Sequence, residues 1–183
     1  MPGHVRVVTA NQARLDTLRA YRRPAPEEEV VPDVGGRLVG LDEVEQAADA
    51  LSGAQAVLPR TLPGDLNPTE AYFALALALA DRTEGPVVRL GALHGPAQLA
   101  ASTLKEPVTL PRGEVVRMAS ALVAAMPAEV PGALSVGGRL LTASETLLAF
   151  ASAVRGDDPV AVHPVDPPEP NQRGLGWGDA TVP

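Results

Sequence analysis

Asn67-Pro-Thr-Glu-Ala-Tyr-Phe-Ala-Leu-Ala-Leu-Ala-Leu-Ala80 is the stretch on which the fold class turns, because it reads two ways. Leu75, Leu77 and Leu79 alternate with alanines, which is nominally the period of a strand. Residue type and the upstream signal point the other way. Alanine is the strongest helix former and is depleted in strands. Asn67 is a capping residue, Pro68 suits the first helical position and Glu70 stands at the third, the pattern that opens a helix. The stretch is therefore expected to be helical. Having leucines all round, it is expected to be buried on most sides, at the centre of the core.

Working outward, the same arrangement occurs twice. Thr142-Ala-Ser-Glu145 is a capping box in its usual form, followed by Leu147, Phe150, Ala151 and Val154 at helical spacing. Upstream of each start signal lies an amphipathic helix. Val44, Ala47, Ala48 and Leu51 form one apolar stripe, and Val115, Met118, Ala119 and Leu122 form the other 71 positions later. Asp42 with Glu45 fits a cap and third helical residue for the first of these. The two helices of each copy are joined through a hydrophobic residue before proline, in Val57-Leu-Pro59 and in Glu129-Val-Pro131, which turns the chain out of helical geometry. In the second copy Ala133 to Val136 reads as a short strand turning at Gly137-Gly138, and in the first Pro63-Gly-Asp65 supplies the turn. Short apolar strands flank each copy: Arg37 to Leu41 and Gly85 to Leu90, then Pro107 to Leu110 and Asp158 to Val162.

The expected fold is thus mainly α with short β-strands, in two pseudo-repeats of strand–helix–prolyl turn–helix–strand. Repeat 1 spans 37–96 and repeat 2 spans 107–162, with a connector at 97–106. The alanine-rich run Pro96 to Lys105 fits one or two further helical turns. Residues 1–36 read as a strand at His4 to Val8, a helix from Thr9 through Arg23 and an acidic linker. Residues 163–183 read as a flexible tail rich in proline and glycine, in which Gly174-Leu-Gly-Trp-Gly-Asp179 carries the chain's only tryptophan; docking on its own domain or disorder is expected over a recognition motif.

Composition narrows the chemistry. In 183 residues, 45% are hydrophobic and 3% aromatic, so the core is aliphatic, and the absence of cysteine excludes disulfides, thiol chemistry and Cys-ligated metal. The net charge of −7 has the wrong sign for nucleic acid. The segment from Asp157 onward, with five acids against one arginine, contributes −4 of it, so the acidity belongs largely to the tail. No secretory signal is legible at Met1 to Ala10, and the longest apolar run is half of a membrane span. These features predict a cytoplasmic protein, with envelope association only through another export route.

Three histidines, His4, His94 and His163, are the candidates for proton transfer near neutral pH, yet they fall in different segments without ligand spacing. No nucleophile elbow, phosphate loop or dinucleotide fingerprint occurs. Glu70 and Glu145 could be read as paired acids of a pseudo-symmetric site, but capping accounts for both. The chain is accordingly read as non-enzymatic, without cofactor or metal.

The unit carried by Val115 to Leu122, Val130-Pro131, Leu134-Ser-Val-Gly-Gly138 and Thr142 to Val154, and by Val44 to Leu51, Leu58-Pro59 and Asn67 to Leu79, resembles the pseudomurein-binding repeat. The resemblance covers residues 42–81 and 114–155. It implies a non-catalytic module that binds an envelope glycan. The grooves beside the prolyl turns, near Arg60 and Arg139, together with the second-helix aromatic Tyr72, are the candidate ligand-binding positions. The expected function is a binding or adaptor module for an envelope glycan or a protein partner. The second reading is an intracellular assembly protein that self-associates as a homo-oligomer, and the third an enzyme without a recognisable motif.

Overall fold

The computed structural model describes residues 36–52, 61–125, 128–165 and Trp177. Among them are four helices and three two-stranded antiparallel sheets. In chain order they are β1 (Arg37–Gly40), α1 (Leu41–Ser52), a 3-10 turn (Pro63–Asp65), α2 (Pro68–Leu79), β2 (Val87–Leu90), β3 (Val108–Leu110), α3 (Arg112–Ala125), β4 (Ala133–Val136), β5 (Arg139–Thr142), α4 (Ala143–Val154) and β6 (Val160–Val162). The expected strand at 4–8, the helix from Thr9 to Arg23, the turn at Val57 to Pro59 and most of the tail lie outside the described residues.

The ambiguous alanine–leucine stretch is helical. All residues of α2 from Pro68 to Ala76 are buried, while Leu77 and Leu79 are partly so. α4 is similar, with nine of its 12 residues buried. A helix hidden on this scale needs cover on several sides, and α2 and α4 supply it to each other and take the rest from α1 and α3. The outer helices cross over in sequence: α1 packs more extensively on α4 than on α2, and α3 more on α2 than on α4. Their buried residues are the stripes read from periodicity, Val44, Ala47, Ala48 and Leu51 on α1, and Val115, Met118, Ala119 and Leu122 on α3.

The strands close the ends of the helix pairs. β1 pairs with β2, Arg37 opposite Leu90, and β3 pairs with β6, Val108 opposite Val162. β4 and β5 form a hairpin with Val136 opposite Arg139. Its two-residue turn, Gly137-Gly138, has φ of 55° and 75°, the mirror-image turn that matches strand twist and favours glycine at both positions. Ahead of α2 the corresponding link is shorter, a single Leu62 to Leu66 bridge around the Pro63–Asp65 turn.

Two expectations are corrected. α1 begins at Leu41, so its cap is Gly40, whose N–H donates to Glu43 Oε2 at 2.9 Å, and not Asp42 with Glu45. Pairing of β1 with β2 runs through Gly40, and the Leu41 N–H donates to the Pro86 carbonyl at 2.8 Å, which sets the helix start two residues earlier than side-chain type suggests. The connector Pro96 to Lys105 forms no helix. Its backbone is used otherwise: Ala97 N–H donates to the distant Glu129 carboxylate at 2.8 Å, and Leu104 N–H makes a local bond to the Ser102 hydroxyl at 3.1 Å, both in place of a helical ladder.

Both central helices end in the same six-to-one closure. Arg82 N–H bonds the Leu77 carbonyl with Asp81 at φ 54°, and Asp157 N–H bonds the Ser152 carbonyl with Gly156 at φ 90°. A Cβ at Gly156 would meet no atom within 4 Å, so only backbone conformation opposes a side chain there. Gly156→Ala is expected to cost about 1 kcal/mol, and Asp81→Gly to stabilise by a fraction of that, both read as urea midpoints at unchanged slope.

Candidate functional site

The polar groups with most chemical potential gather at the N-termini of α2 and α4. At α2, Asn67 Oδ1 accepts from Glu70 N–H at 2.9 Å and Glu70 Oε2 accepts from Asn67 N–H at 3.0 Å, a reciprocal capping box. The Glu70 carboxylate also takes Arg37 Nη1 at 3.0 and 3.1 Å. The same guanidinium donates to the carbonyl of Asp65 at 3.2 Å and to that of Gly64, so one side chain ties β1 to the 3-10 turn and to the helix start.

At α4 the box is repeated without the cation. Thr142 Oγ1 accepts from Glu145 N–H at 3.2 Å, and Glu145 Oε2 accepts from Thr142 N–H at 2.8 Å. Its other oxygen accepts from Val165 N–H at 3.2 Å, three residues beyond β6. Glu145 is 0% exposed, and among the described residues its carboxylate is held by backbone amides alone. The position matching Arg37 at the start of β3 is Val108, which offers no side-chain donor, and the chain leaving β6 supplies the missing partner instead.

Between these caps lies an aromatic cluster. Tyr72 is fully buried and its ring lies 5.6 Å from Phe73, 5.3 Å from Phe150 and 6.0 Å from Trp177, all in edge-on or tilted geometry. Trp177 is 4% exposed, and its carbonyl accepts from Thr69 N–H at 3.3 Å and Thr69 Oγ1 at 3.1 Å. Tyr72 Oη and Thr146 Oγ1 are buried without a hydrogen-bond partner of ordinary geometry. Burial pushes the Tyr72 phenol well above its usual range, and the Thr146 hydroxyl opposes that rise.

Of the three positions singled out in the sequence, two are described. Arg60 lies outside the described residues. Tyr72 is in the core, where its phenol is out of reach of a surface ligand. Arg139 is exposed at the start of β5, on the hairpin. Of the two described positions, one is buried and the other exposed, so Tyr72 and Arg139 share no surface. His94 and His163 are both exposed, and Asp157 and Asp158 are occupied elsewhere: Asp157 accepts from Ser152 Oγ at 2.6 Å, and Asp158 caps α3 by accepting Arg112 N–H at 3.1 Å. Among the described residues no group of three or more His, Asp or Glu side chains could hold a metal ion, and no helix is long and apolar enough to cross a membrane. Sequence reasoning did not find Thr69, Thr146 or Val165. Their partners did carry signals: Trp177 as the one tryptophan among glycines, Tyr72 as a second-helix aromatic and Glu145 as a capping-box acid.

Glu145→Ala strands two buried N–H groups and is expected to cost about 3 kcal/mol in urea unfolding. Glu70→Ala should cost less, because the Arg37 side chain is 35% exposed and keeps water and two carbonyls. Ultraviolet titration offers a second check. A raised phenol pKa in the folded state means stability is retained below the unfolded value of 10.0 and lost as pH climbs beyond it. Tyr72 is expected to ionise only together with alkaline unfolding. Comparison with family models, with curated proteins and with solved structures found no match.

Proposed function

We propose that the chain is a non-catalytic binding or adaptor module, made of two copies of one strand–helix–helix–strand unit, whose partner is another protein. The observation that carries this reading is the duplication of local devices that composition alone does not demand. The capping boxes begin at Asn67 and Thr142, and the left-handed closing residues are Asp81 and Gly156, a spacing of 75 in both cases. The buried stripes beginning at Val44 and Val115 are 71 apart, and the strands that flank each helix pair are antiparallel partners of one another.

Binding is favoured over catalysis because the two buried carboxylates, Glu70 and Glu145, are already held by cap amides, with Arg37 added at Glu70. A protein is favoured as the partner because Tyr72, Phe73, Phe150 and Trp177 are buried against one another, and a stacking platform for sugar rings needs an exposed face. Among the described residues the exposed large apolar side chains are instead Leu38 on β1 and Leu140 on β5, 51% and 45% exposed. The resemblance to the pseudomurein-binding repeat supports an envelope glycan as the second reading, with exposed Arg139 as its contact.

The two readings separate by affinity capture. Leu38→Asp with Leu140→Asp is expected to abolish retention of a defined protein partner by the full chain while leaving its thermal melt in place. Unchanged retention would contradict the proposal. Binding to purified wall polymer that Arg139→Ala removes would establish the glycan instead.

A further inference from the structure

The way the chain's end is seated on α2 differs from the way it is seated on α4. At α4 the contact is made by Val165, which follows β6 directly and whose N–H reaches the Glu145 carboxylate. At α2 it is made by Trp177, twelve positions further along. Thr69 is the second residue of α2, so its N–H belongs to the first turn and has no carbonyl within the helix to bond. The Asn67 side chain serves the amide of Glu70. The carbonyl of Trp177 fills the gap, taking both the amide and the hydroxyl of Thr69, while the indole packs edge-on against Tyr72. Thr69 and Tyr72 are each 0% exposed beneath it, and Tyr72 Oη is a buried donor that the aromatic cluster does not satisfy.

This is the anatomy of a peptide site. One large aromatic anchor enters an apolar seat, and one main-chain carbonyl is read by two converging donors. In sequence the tryptophan is flanked by Gly176 and Gly178. We propose that the cleft formed by Thr69 and Tyr72 at the N-terminus of α2 is a recognition site for a glycine-flanked tryptophan segment, and that the chain's own Trp177 occupies it in cis as a displaceable plug. The tether is short enough to give the cis segment an effective concentration in the millimolar range, so a competing segment binds the intact chain weakly and the unplugged chain well. This proposal does not rest on what the exposed strands bind.

Trp177 is the only tryptophan, so its emission in the wild-type full chain reads the docked state directly. It is expected to be blue-shifted and shielded from acrylamide. A fluorescein-labelled peptide of residues 172–183 should bind the full-length Trp177→Ala chain saturably, as fluorescence anisotropy, and the wild type at least about tenfold more weakly. Thr69→Val in the Trp177→Ala background should weaken peptide binding by about tenfold, through loss of the hydroxyl. A folded Trp177→Ala chain that binds no peptide overturns the proposal, as does equal binding by wild type and variant, or solvent-like emission of Trp177. Should Trp177→Ala fail to fold, Trp177→Phe retains a smaller ring, and a folded Trp177→Phe chain that binds the peptide no better than wild type overturns it equally. Concentration-dependent dimerisation with Trp177 shielded only in the dimer would place the segment in a second copy and refute the cis assignment.

Discussion

The contact between α2 and α4 is the constraint on which the rest of the structure depends. α2 is buried along its first nine residues and α4 over nine of its 12, so neither can sit with one face on a core and the other in water. Each must be enclosed. The chain answers by laying the two side by side and adding α1 and α3 on the outside, with each outer helix packed chiefly on the central helix that is remote from it in sequence. The consequence is a shared core. Removing the second half would uncover α1 as well as α2, because α1 leans more on α4.

Burying helix starts creates an electrostatic problem that apolar packing cannot solve. First-turn amides lose water and need acceptors, and the carboxylates that serve them lose water too. Different groups complete the two starts. At α2, Arg37 compensates Glu70 and the Trp177 carbonyl completes Thr69. At α4, two backbone amides hold Glu145 with no cation. The aromatic rings sit between these polar ends, where Tyr72 touches Phe73, Phe150 and Trp177. A chain with 3% aromatic residues thus concentrates four of its five at one place.

How much of this was legible in the sequence follows from which interactions are local. Capping boxes are local, and Asn67 to Glu70 and Thr142 to Glu145 announce themselves within four residues. Helical stripes are nearly local, and all eight buried stripe positions of α1 and α3 could be read from spacing. The start of α1 could not, because strand pairing and the Pro86 carbonyl fix Gly40 from a distance. The connector before β3 looked helical from its alanines, and the Glu129 carboxylate from beyond α3 takes one of its amides. The site was less legible still. Tyr72 is a candidate ligand contact only through the family resemblance, and its burial depends on α4 and on a residue 105 positions away. Thr69 carries no local signal of its role, because the carbonyl that pairs with it belongs to a residue 108 positions away.

An interdigitated core of this kind leaves Leu38 on β1 and Leu140 on β5 exposed and holds Trp177 against Tyr72. The measurement that tests the shared core most directly is native-state hydrogen exchange of the α2 and α4 amides at rising denaturant. The account predicts that the slowest amides of both helices merge into one opening isotherm at the global unfolding free energy. Two separate isotherms, with one half opening while the other stays protected, would contradict it.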